Sequence, residues 1–163
     1  MIRPATTGDA VGVCAIYNHY IENAIATFEE QAVELDDMRD RIAGASEEKP
    51  WFVYEADGVI AGYAYASAWQ SRCAYRFSLE TTVYLSHEHL GRGIGTVLYS
   101  HLIDTIRKNG MHSLLAAIAL PNEASVALHE KLGFEKVGQF REVGWKFDQW
   151  IDVGYWELIF TPR

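Results

Sequence analysis

The stretch HLGRGIGTVLYSHL, residues 89–102, sets three glycines directly before a run with helical periodicity. The N–H groups of a first helical turn lack partners and carry partial positive charge, and glycines let a phosphate approach them. The pattern predicts either a phosphate cradle, to which Arg92 adds a charge, or a tight turn that only caps the helix. Spacing alone leaves both open. The glycines are Gly91, Gly93 and Gly95, and the apolar residues that continue the helix begin with Ile94, Val97, Leu98 and Leu102.

Two familiar phosphate-binding motifs fit this stretch poorly. A P-loop has Lys-Ser or Lys-Thr directly after its last glycine, whereas Gly95 is followed by Thr96-Val97. A dinucleotide-binding fold has G-x-G-x-x-G after its first strand, whereas this spacing is G-x-G-x-G and lies past the middle of the chain. Neither class is favoured.

The elements around the glycines predict one mixed α/β domain over residues 1–163, in the order β-α-α-β-β-β-α-β-α-β-β. Asp57-Gly58, between two β-rich runs, predicts a hairpin turn, and Asn109-Gly110 ends the helix that follows the glycines. The other predicted elements are a strand at the start, a helix capped by Thr7 or Asp9 and ending near Ile21, a helix over Leu35–Ala43, a strand over 77–85, a strand over 113–120, a short helix over 122–132, and two strands joined around Asp148-Gln149.

Charge and cysteine usage exclude some functions. Acidic residues outnumber basic ones, 22 to 14, for a formal charge of −8, which argues against nucleic acid and weakly against anionic membranes as partners. Cys14 and Cys73 are far apart and are expected to be free thiols of a reducing compartment. We see no signal peptide and no apolar run long enough for a membrane span, so we expect a cytoplasmic protein.

Two segments resemble the cofactor-binding motifs of the GNAT N-acetyltransferase superfamily. In VYLSHEHLGRGIGTVLYSHLI, Gly93 and Gly95 fill the glycine positions of the acetyl-CoA signature, while Leu90 stands where Gln or Arg is usual. LPNEASVALHEKLGF is similar to the second cofactor segment. The resemblance spans the chain and implies a GNAT fold, a mixed, mostly antiparallel sheet with a central splay, flanked by helices. It implies acetyl-CoA as co-substrate and no metal.

Five separated segments together narrow the resemblance to phosphinothricin N-acetyltransferases. They are IYNHYI (16–21), TFEE (27–30), RCAYRFSLETTVYLS (72–86), ALPNEASVALHEKLGF (119–134) and WIDVGYWELIF (150–160). The resemblance implies acetylation of the α-amine of L-phosphinothricin, methionine sulfoximine or methionine sulfone, by direct transfer in a ternary complex. It also implies a homodimer. Polyamines, aminoglycosides or protein N-termini remain alternative acceptors, and a non-catalytic acetyl-CoA sensor is the alternative outside catalysis.

Glu80 is the candidate general base. Strand alternation places Glu80, Thr82 and Tyr84 on one face and Leu79, Thr81 and Val83 on the other. A carboxylate among apolar neighbours has a raised pKa, which suits removal of a proton from an ammonium. The alternative is a solvent-facing or salt-bridged strand carboxylate, and the resemblance favours the base.

The resemblance also implies roles for residues along the cofactor. The strand before the glycines would offer N–H groups of Val83, Tyr84 and Leu85, with Leu85 the oxyanion contact. His129 would protonate the departing thiolate, or would only hydrogen-bond water or substrate. Asn122 would bind the pantetheine arm and cap its helix. The pyrophosphate would be held by Gly91, Arg92, Gly93, Ile94, Gly95 and Thr96.

The acceptor's anionic groups require cations, and arginine binds such groups with two parallel hydrogen bonds. Arg72 and Arg76, on either side of Tyr75, are the candidates, and the alternative is a pair of surface arginines. Phe28 and Glu29 resemble the loop that closes over substrate, and Thr82 shares the face of Glu80. His87, Glu88 and His89 look like exposed loop residues rather than metal ligands.

Overall fold

The fold is built on a seven-stranded sheet, whose strands lie in the order β1-β2-β3-β4-β5-β7-β6. The computed structural model describes residues 1–161, so the last two residues of the predicted 1–163 domain lie outside the described part. The strands are β1 (Ile2–Pro4), β2 (Trp51–Ala56), β3 (Val59–Ala68), β4 (Ser78–Leu85), β5 (Ser113–Leu120), β6 (Glu135–Lys146) and β7 (Gln149–Ile159), and the helices are α1 (Ala10–Asn23), α2 (Leu35–Ala43), α3 (Ile94–Lys108) and α4 (Glu123–Lys131). The predicted order of elements is confirmed.

Turn geometry confirms the first hairpin and shifts the second by one residue. Asp57 and Gly58 have φ of 51° and 78°, the left-handed pair that a two-residue hairpin turn requires. The last hairpin turns instead at Phe147-Asp148, with φ of 52° and 56°, and Gln149 already belongs to β7. The prediction around Asp148-Gln149 missed this because phenylalanine rarely adopts a positive φ.

Of the two predicted caps of the first helix, Asp9 occupies the N-cap position of α1. A short 3-10 turn over Thr7–Asp9 precedes α1, and Thr6 is its cap. The Asp9 carboxylate accepts hydrogen bonds from the Thr6 N–H at 2.8 Å and the Thr6 hydroxyl at 3.1 Å. Thr7 itself is therefore not the capping residue, and Asp9 closes the turn from its third position.

The sheet is antiparallel except where β4 meets β5. These two strands run parallel and pair only from Ser78–Ser113 to Glu80–Leu115. Beyond Glu80, β4 continues to Leu85 and keeps only its β3 partner, while β5 continues to Leu120 beside β7. The predicted central splay therefore opens directly after Glu80.

Helices cover both faces of the sheet, each over its own core. On one face α3 buries Leu98, Tyr99 and Leu102 against Leu114 and Trp156. On the other, α1 and α2 bury residues such as Val13, Tyr17 and Met38 against Val53 and Tyr63. Among residues 1–161, no helix has the length and apolar character that crossing a bilayer would need. The two cores hold the strand ends that form the splay.

Candidate active site

The turn over residues 91–95 requires glycine for two different reasons. Gly91 and Gly93 have φ of 73° and 77°, and open space surrounds the position where a Cβ would stand. Gly95 would place a Cβ 3.2 Å from the Leu85 side chain, so a larger residue there would have to displace that side chain where α3 packs closely on β4. The turn therefore needs the glycine conformation and also leaves open space beside the helix, which a phosphate cradle would require.

The first turn of α3 offers unpaired N–H groups. The first intrahelical bond runs from the Val97 N–H to the Gly93 carbonyl at 3.2 Å, so the N–H groups of Ile94, Gly95 and Thr96 have no partner within the helix. Gly93 is the N-cap and has no side chain to satisfy them. The helix dipole adds partial positive charge, which makes this turn suitable for an anion.

A cavity of about 490 Å³, here called the splay cavity, runs from this turn into the gap between β4 and β5. Apolar and small residues of β4, β5 and α4 line it, and His129 lies within it. Of the predicted cofactor residues, Arg92 is exposed and Ile94 is buried in the core, and neither side chain lines the cavity. The predicted residues that line it are Thr82, Val83, Tyr84, Leu85, Gly91, Gly93, Gly95, Thr96, Asn122 and His129, together with Leu90.

The register of β4 on β3 decides which N–H groups face the gap. The Ser86 N–H donates to the Ala61 carbonyl at 2.9 Å, so in an antiparallel ladder alternate residues from Ser86 bond to β3. The N–H groups of Leu85, Val83 and Thr81 therefore face the splay, whereas that of Tyr84 faces β3. Of the three predicted N–H groups, that of Tyr84 is therefore wrong, and the N–H of Thr81, which was not predicted, faces the gap.

Leu85 also has its carbonyl fixed. The Tyr20 hydroxyl donates to that carbonyl at 2.8 Å from α1. This bond holds the end of β4 where the strand leaves its ladder, and Tyr20 itself lines the splay cavity. The Leu85 carbonyl consequently has a partner beside the cavity, while its N–H is directed by the register of β4 on β3.

Asn122 and His129 stand at the two ends of α4. The Asn122 side chain accepts from the Ser125 N–H at 3.2 Å, so the predicted helix cap is confirmed. His129 is 4% exposed, and its ring packs edge-on against Tyr99 and Phe134. Its Nδ1 lies 2.7 Å from the Ser125 carbonyl, which can only accept, so Nδ1 carries the proton. Burial lowers the pKa of His129, which keeps the ring neutral at pH 7 with Nε2 unprotonated.

A second cavity of about 380 Å³, here called the acceptor cavity, adjoins the first. Residues common to both linings include Thr82 and Tyr84, so the two spaces meet at the face of β4 that carries Glu80. The lining consists of Ile25, Ala26, Thr27, Phe28, Tyr65, Glu80, Thr82, Tyr84, Ala117, Ala119, Val143, Val153 and Tyr155. Apart from the tyrosine hydroxyls, Glu80 is the ionisable group of that lining.

Glu80 is placed as strand alternation predicts. Its face also carries Thr82 and Tyr84, while Leu79 and Val83 pack on the α3 core. No hydrogen bond or ion pair joins its carboxylate to another side chain of residues 1–161. Desolvation by burial raises the pKa of Glu80 above its usual value. An unpaired, partly buried carboxylate is a base whose proton affinity is increased.

Phe28 and Glu29 have different surroundings despite being neighbours. The Phe28 ring lines the acceptor cavity and lies against Gly144, where a Cβ would have no room. The Glu29 carboxylate instead pairs with Arg41 at 2.7 Å and accepts from the Tyr17 hydroxyl. Arg41 lowers the pKa of Glu29. Glu29 therefore anchors its loop to α1 and α2 rather than lining the cavity.

The predicted cations lie outside both cavities. Arg72, Tyr75 and Arg76 are exposed, in and around the 3-10 turn Cys73–Tyr75 that precedes β4. Arg76 stacks on the Phe77 ring at 4.6 Å and donates to the Cys73 carbonyl at 3.1 Å. Neither cavity lining includes these three residues.

Several lining residues escaped the sequence analysis. Tyr65, Val143 and Tyr155 lie on three separate strands, and strand alternation alone does not reveal which face holds a cavity. Val143 enters through a register shift between Phe140 and Gly144, a β-bulge that re-aims the strand. Residues 1–161 also hold no group of three or more side chains suited to a metal ion, and His87 and Glu88 are exposed.

Comparison with known proteins decides the family. Residues 2–154 match the model of the acetyltransferase (GNAT) domain. This chain belongs to the GNAT acetyltransferase family. The phosphinothricin N-acetyltransferase of Streptomyces viridochromogenes is 43% identical over 159 residues, covering 98% of this chain and 87% of that protein. The L-methionine sulfoximine/L-methionine sulfone acetyltransferase of Salmonella typhimurium is 35% identical, covering 96% and 92%.

The GNAT fold is also clear in three dimensions. The crystal structure of a GNAT superfamily phosphinothricin acetyltransferase from Sinorhizobium meliloti in complex with acetyl-CoA superposes with a TM-score of 0.93 at 34% identity, covering 98% of this chain and 87% of that one. The residues present here fit the same group. Open space beside the uncapped N-terminus of α3 suits a pyrophosphate, and the gap between β4 and β5 suits an extended amide-bearing arm.

Proposed function

We propose that this GNAT domain acetylates the α-amine of small amino-acid analogues such as L-phosphinothricin, methionine sulfoximine and methionine sulfone, using acetyl-CoA. The observation that carries the proposal is the unpaired Glu80 carboxylate at the junction of the splay and acceptor cavities. The relatives named for these acceptors support the choice of substrate class. Bound acetyl-CoA would supply a thioester carbonyl as the electrophile, and transfer would be direct.

Backbone N–H groups would bind acetyl-CoA. The free N–H groups of Ile94, Gly95 and Thr96 would bind the pyrophosphate, with exposed Arg92 adding charge from the turn. The N–H groups of Thr81 and Val83 would bind the pantetheine arm along the splay, with Asn122 near its far side. The Leu85 N–H would donate to the oxygen that becomes negative during transfer, because the register of β4 on β3 turns it toward the gap.

Glu80 would take the proton of the acceptor ammonium. A carboxylate with a raised pKa is better matched to this task than one at its ordinary value. Thr82 and Tyr84 flank it on the same strand face, and Thr82 would contact the acceptor. The base therefore lies on the acceptor side of β4, across the strand from the cofactor helix.

His129 would act as a hydrogen-bond acceptor rather than as the acid. The Ser125 carbonyl holds the proton on Nδ1, and burial keeps the ring neutral, so Nε2 has no proton to give at pH 7. In this form the ring would orient a water molecule or the substrate beside the thioester. The acceptor nitrogen loses two protons on forming the amide: Glu80 would take one, and the other would pass through that water to the departing thiolate.

Arg72 and Arg76 remain our proposed partners for the acceptor's anionic groups, with Tyr75 between them. The support is chemical, since the acceptor cavity lining holds no cation and a carboxylate or phosphinate requires one. The turn that carries them leads directly into β4 and Glu80. Phe28 would contact the apolar part of the acceptor.

We also propose a cytoplasmic homodimer. Cys14 and Cys73 are both free, as in proteins of reducing compartments. Exposed large apolar side chains concentrate on β6 and the start of β7, an edge that a second copy would cover. These side chains are Val137, Phe140, Val143, Trp145, Phe147 and Trp150.

The test of the proposed function is a panel assay of thiol release from acetyl-CoA. Phosphinothricin, methionine sulfoximine and methionine sulfone are expected to be turned over, whereas spermidine and an aminoglycoside are not. Turnover of the polycations instead would contradict the acceptor class. Binding of acetyl-CoA without turnover of any amine would favour a sensor.

A further inference from the structure

The loop over residues 24–30, here called the acceptor loop, forms one wall of the acceptor cavity. Ile25, Ala26, Thr27 and Phe28 all line that cavity. The loop leaves α1, which packs on the β3 and β4 side of the splay. What holds this loop therefore determines the shape that an acceptor meets.

Lys146 is buried beneath the acceptor loop. It lies at the end of β6 and is 2% exposed, an unusual position for a lysine. Its Nζ donates to the Ala24 carbonyl at 2.7 Å and to the Thr27 carbonyl at 2.8 Å, and it stands 4.9 Å from the Phe147 ring. Among residues 1–161 no carboxylate lies within ion-pair distance of it. Two carbonyls of one loop are thus its main compensation for burial.

Other side chains hold the same loop from the opposite side. The Tyr84 hydroxyl of β4 donates to the Ala26 carbonyl at 3.1 Å. The Tyr17 hydroxyl of α1 shares a hydrogen bond with the Thr27 hydroxyl at 2.8 Å. Since β4 and β6 belong to the two halves of the sheet that the splay separates, the loop spans the gap between them. From the far half, Lys146 reaches the loop by hydrogen bonds, beside the packing of Phe28 on Gly144.

We propose that Lys146 is a positioning residue for the acceptor, which fixes the acceptor loop across the splay so that Ile25, Thr27 and Phe28 keep the cavity in its binding shape. The inference rests on the proposed function, because it takes this cavity as the acceptor site. Lys146 does not line either cavity, so its effect passes through the loop. Loss of the lysine should weaken acceptor binding and leave the cofactor turn unchanged.

The experiment compares Lys146→Met with Lys136→Met by steady-state kinetics with methionine sulfoximine and acetyl-CoA. Lys136 lies on the same strand but is exposed, donating to Gln139 at 2.6 Å. For Lys146→Met we expect KM for methionine sulfoximine to rise about tenfold, with KM for acetyl-CoA within about twofold of wild type. Lys146→Gln, which keeps an N–H donor, should fall between. Lys136→Met should leave both constants unchanged.

Unchanged constants in Lys146→Met, or an equal rise in both, would overturn the inference. Should that variant not fold, the wild-type protein labelled with ¹⁵N-lysine provides the test. The Lys146 ammonium should give a persistent, slowly exchanging proton signal that the exposed Lys136 lacks, and its absence would contradict the hold of Lys146 on the acceptor loop. A wild type inactive on every amino-acid analogue would instead refute the proposed function, and the ammonium signal would still test whether Lys146 holds the loop.

Discussion

At the residue scale, the proposed site depends on Glu80, which is partly desolvated and has no side-chain partner among residues 1–161. The proposed base must be ionised to act, so kcat/KM should rise with pH through the raised pKa of Glu80. Glu80→Gln should lower kcat/KM at neutral pH by about 10²–10⁴-fold and flatten that acidic limb, while acetyl-CoA still binds. Glu135→Gln, an exposed strand glutamate, is the control. An unchanged pH profile in Glu80→Gln would remove Glu80 as the base.

His129 gives a second prediction at this scale, because its pKa is shifted in the opposite direction from that of Glu80. Burial lowers the pKa of His129, so the ring loses its proton before pH 7 is reached. A hydrogen-bond-acceptor role requires the neutral ring, so kcat should rise as pH increases through that lowered value, whereas an acid role makes kcat fall there. At saturating substrates, wild type should therefore show no fall in kcat with rising pH that His129→Gln lacks. A fall in kcat with rising pH that only the wild type shows would restore His129 as the acid.

At the scale of single elements, variants of the turn before α3 can distinguish the role of glycine in backbone conformation from its role in binding. Gly93 and Gly110 have similar φ, 77° and 82°, and neither has a neighbour that a Cβ would meet. Alanine at either position strains the backbone by about 1 kcal/mol. Gly93→Ala should in addition raise the Kd for acetyl-CoA several-fold, measured by calorimetric titration, since its methyl group would face the anion. Equal affinities in the two variants would place the pyrophosphate elsewhere.

The junction of β1, β2 and α1 predicts an acid-dependent loss of stability. Arg3 bridges Asp9 and Glu55, both at 2.8 Å, and lowers the pKa of Asp9 to about 2 from 3.8. A depressed carboxyl pKa stabilises the fold above the unfolded value, and the contribution is lost as pH falls from about 3.8 to about 2. Asp9→Asn should lower the free energy of unfolding by about 1–2 kcal/mol at pH 7, after allowance for the partly exposed Arg3.

Urea unfolding at pH 7 and at pH 2 would measure this effect. The difference between wild type and Asp9→Asn should shrink at the lower pH, where the wild-type carboxyl is partly protonated. Asp36→Asn, which removes an exposed pair with Arg39, should change stability little at either pH. A difference that stays constant with pH would mean that Asp9 stabilises by packing rather than by charge.

At the scale of the whole molecule, the sequence predicted the order of elements because each has a local signal. Hairpin turns, helix stops and strand alternation depend on neighbours in the chain, and alternation placed Glu80 correctly. Long-range features had no such signal. A lysine such as Lys146 in an edge strand is expected to be solvated, and only the folded chain brings the 24–30 loop onto it. The ladder register that turns the Tyr84 N–H toward β3 is likewise invisible in one strand's sequence.

The apolar edge of β6 and β7 supports the last prediction, which concerns assembly. Trp150 is 61% exposed and its ring lies 4.8 Å from that of Trp145, within a surface that a monomer would leave in water. Sedimentation should give wild type twice the 18.4 kDa mass of the chain. Trp150→Glu should shift it toward monomer, because a charge at an apolar interface is desolvated without a partner. Val59→Glu, equally apolar and 53% exposed but at the β2–β3 turn, should leave the dimer intact. A wild type that sediments as a single chain would contradict the dimer and leave this edge to another partner.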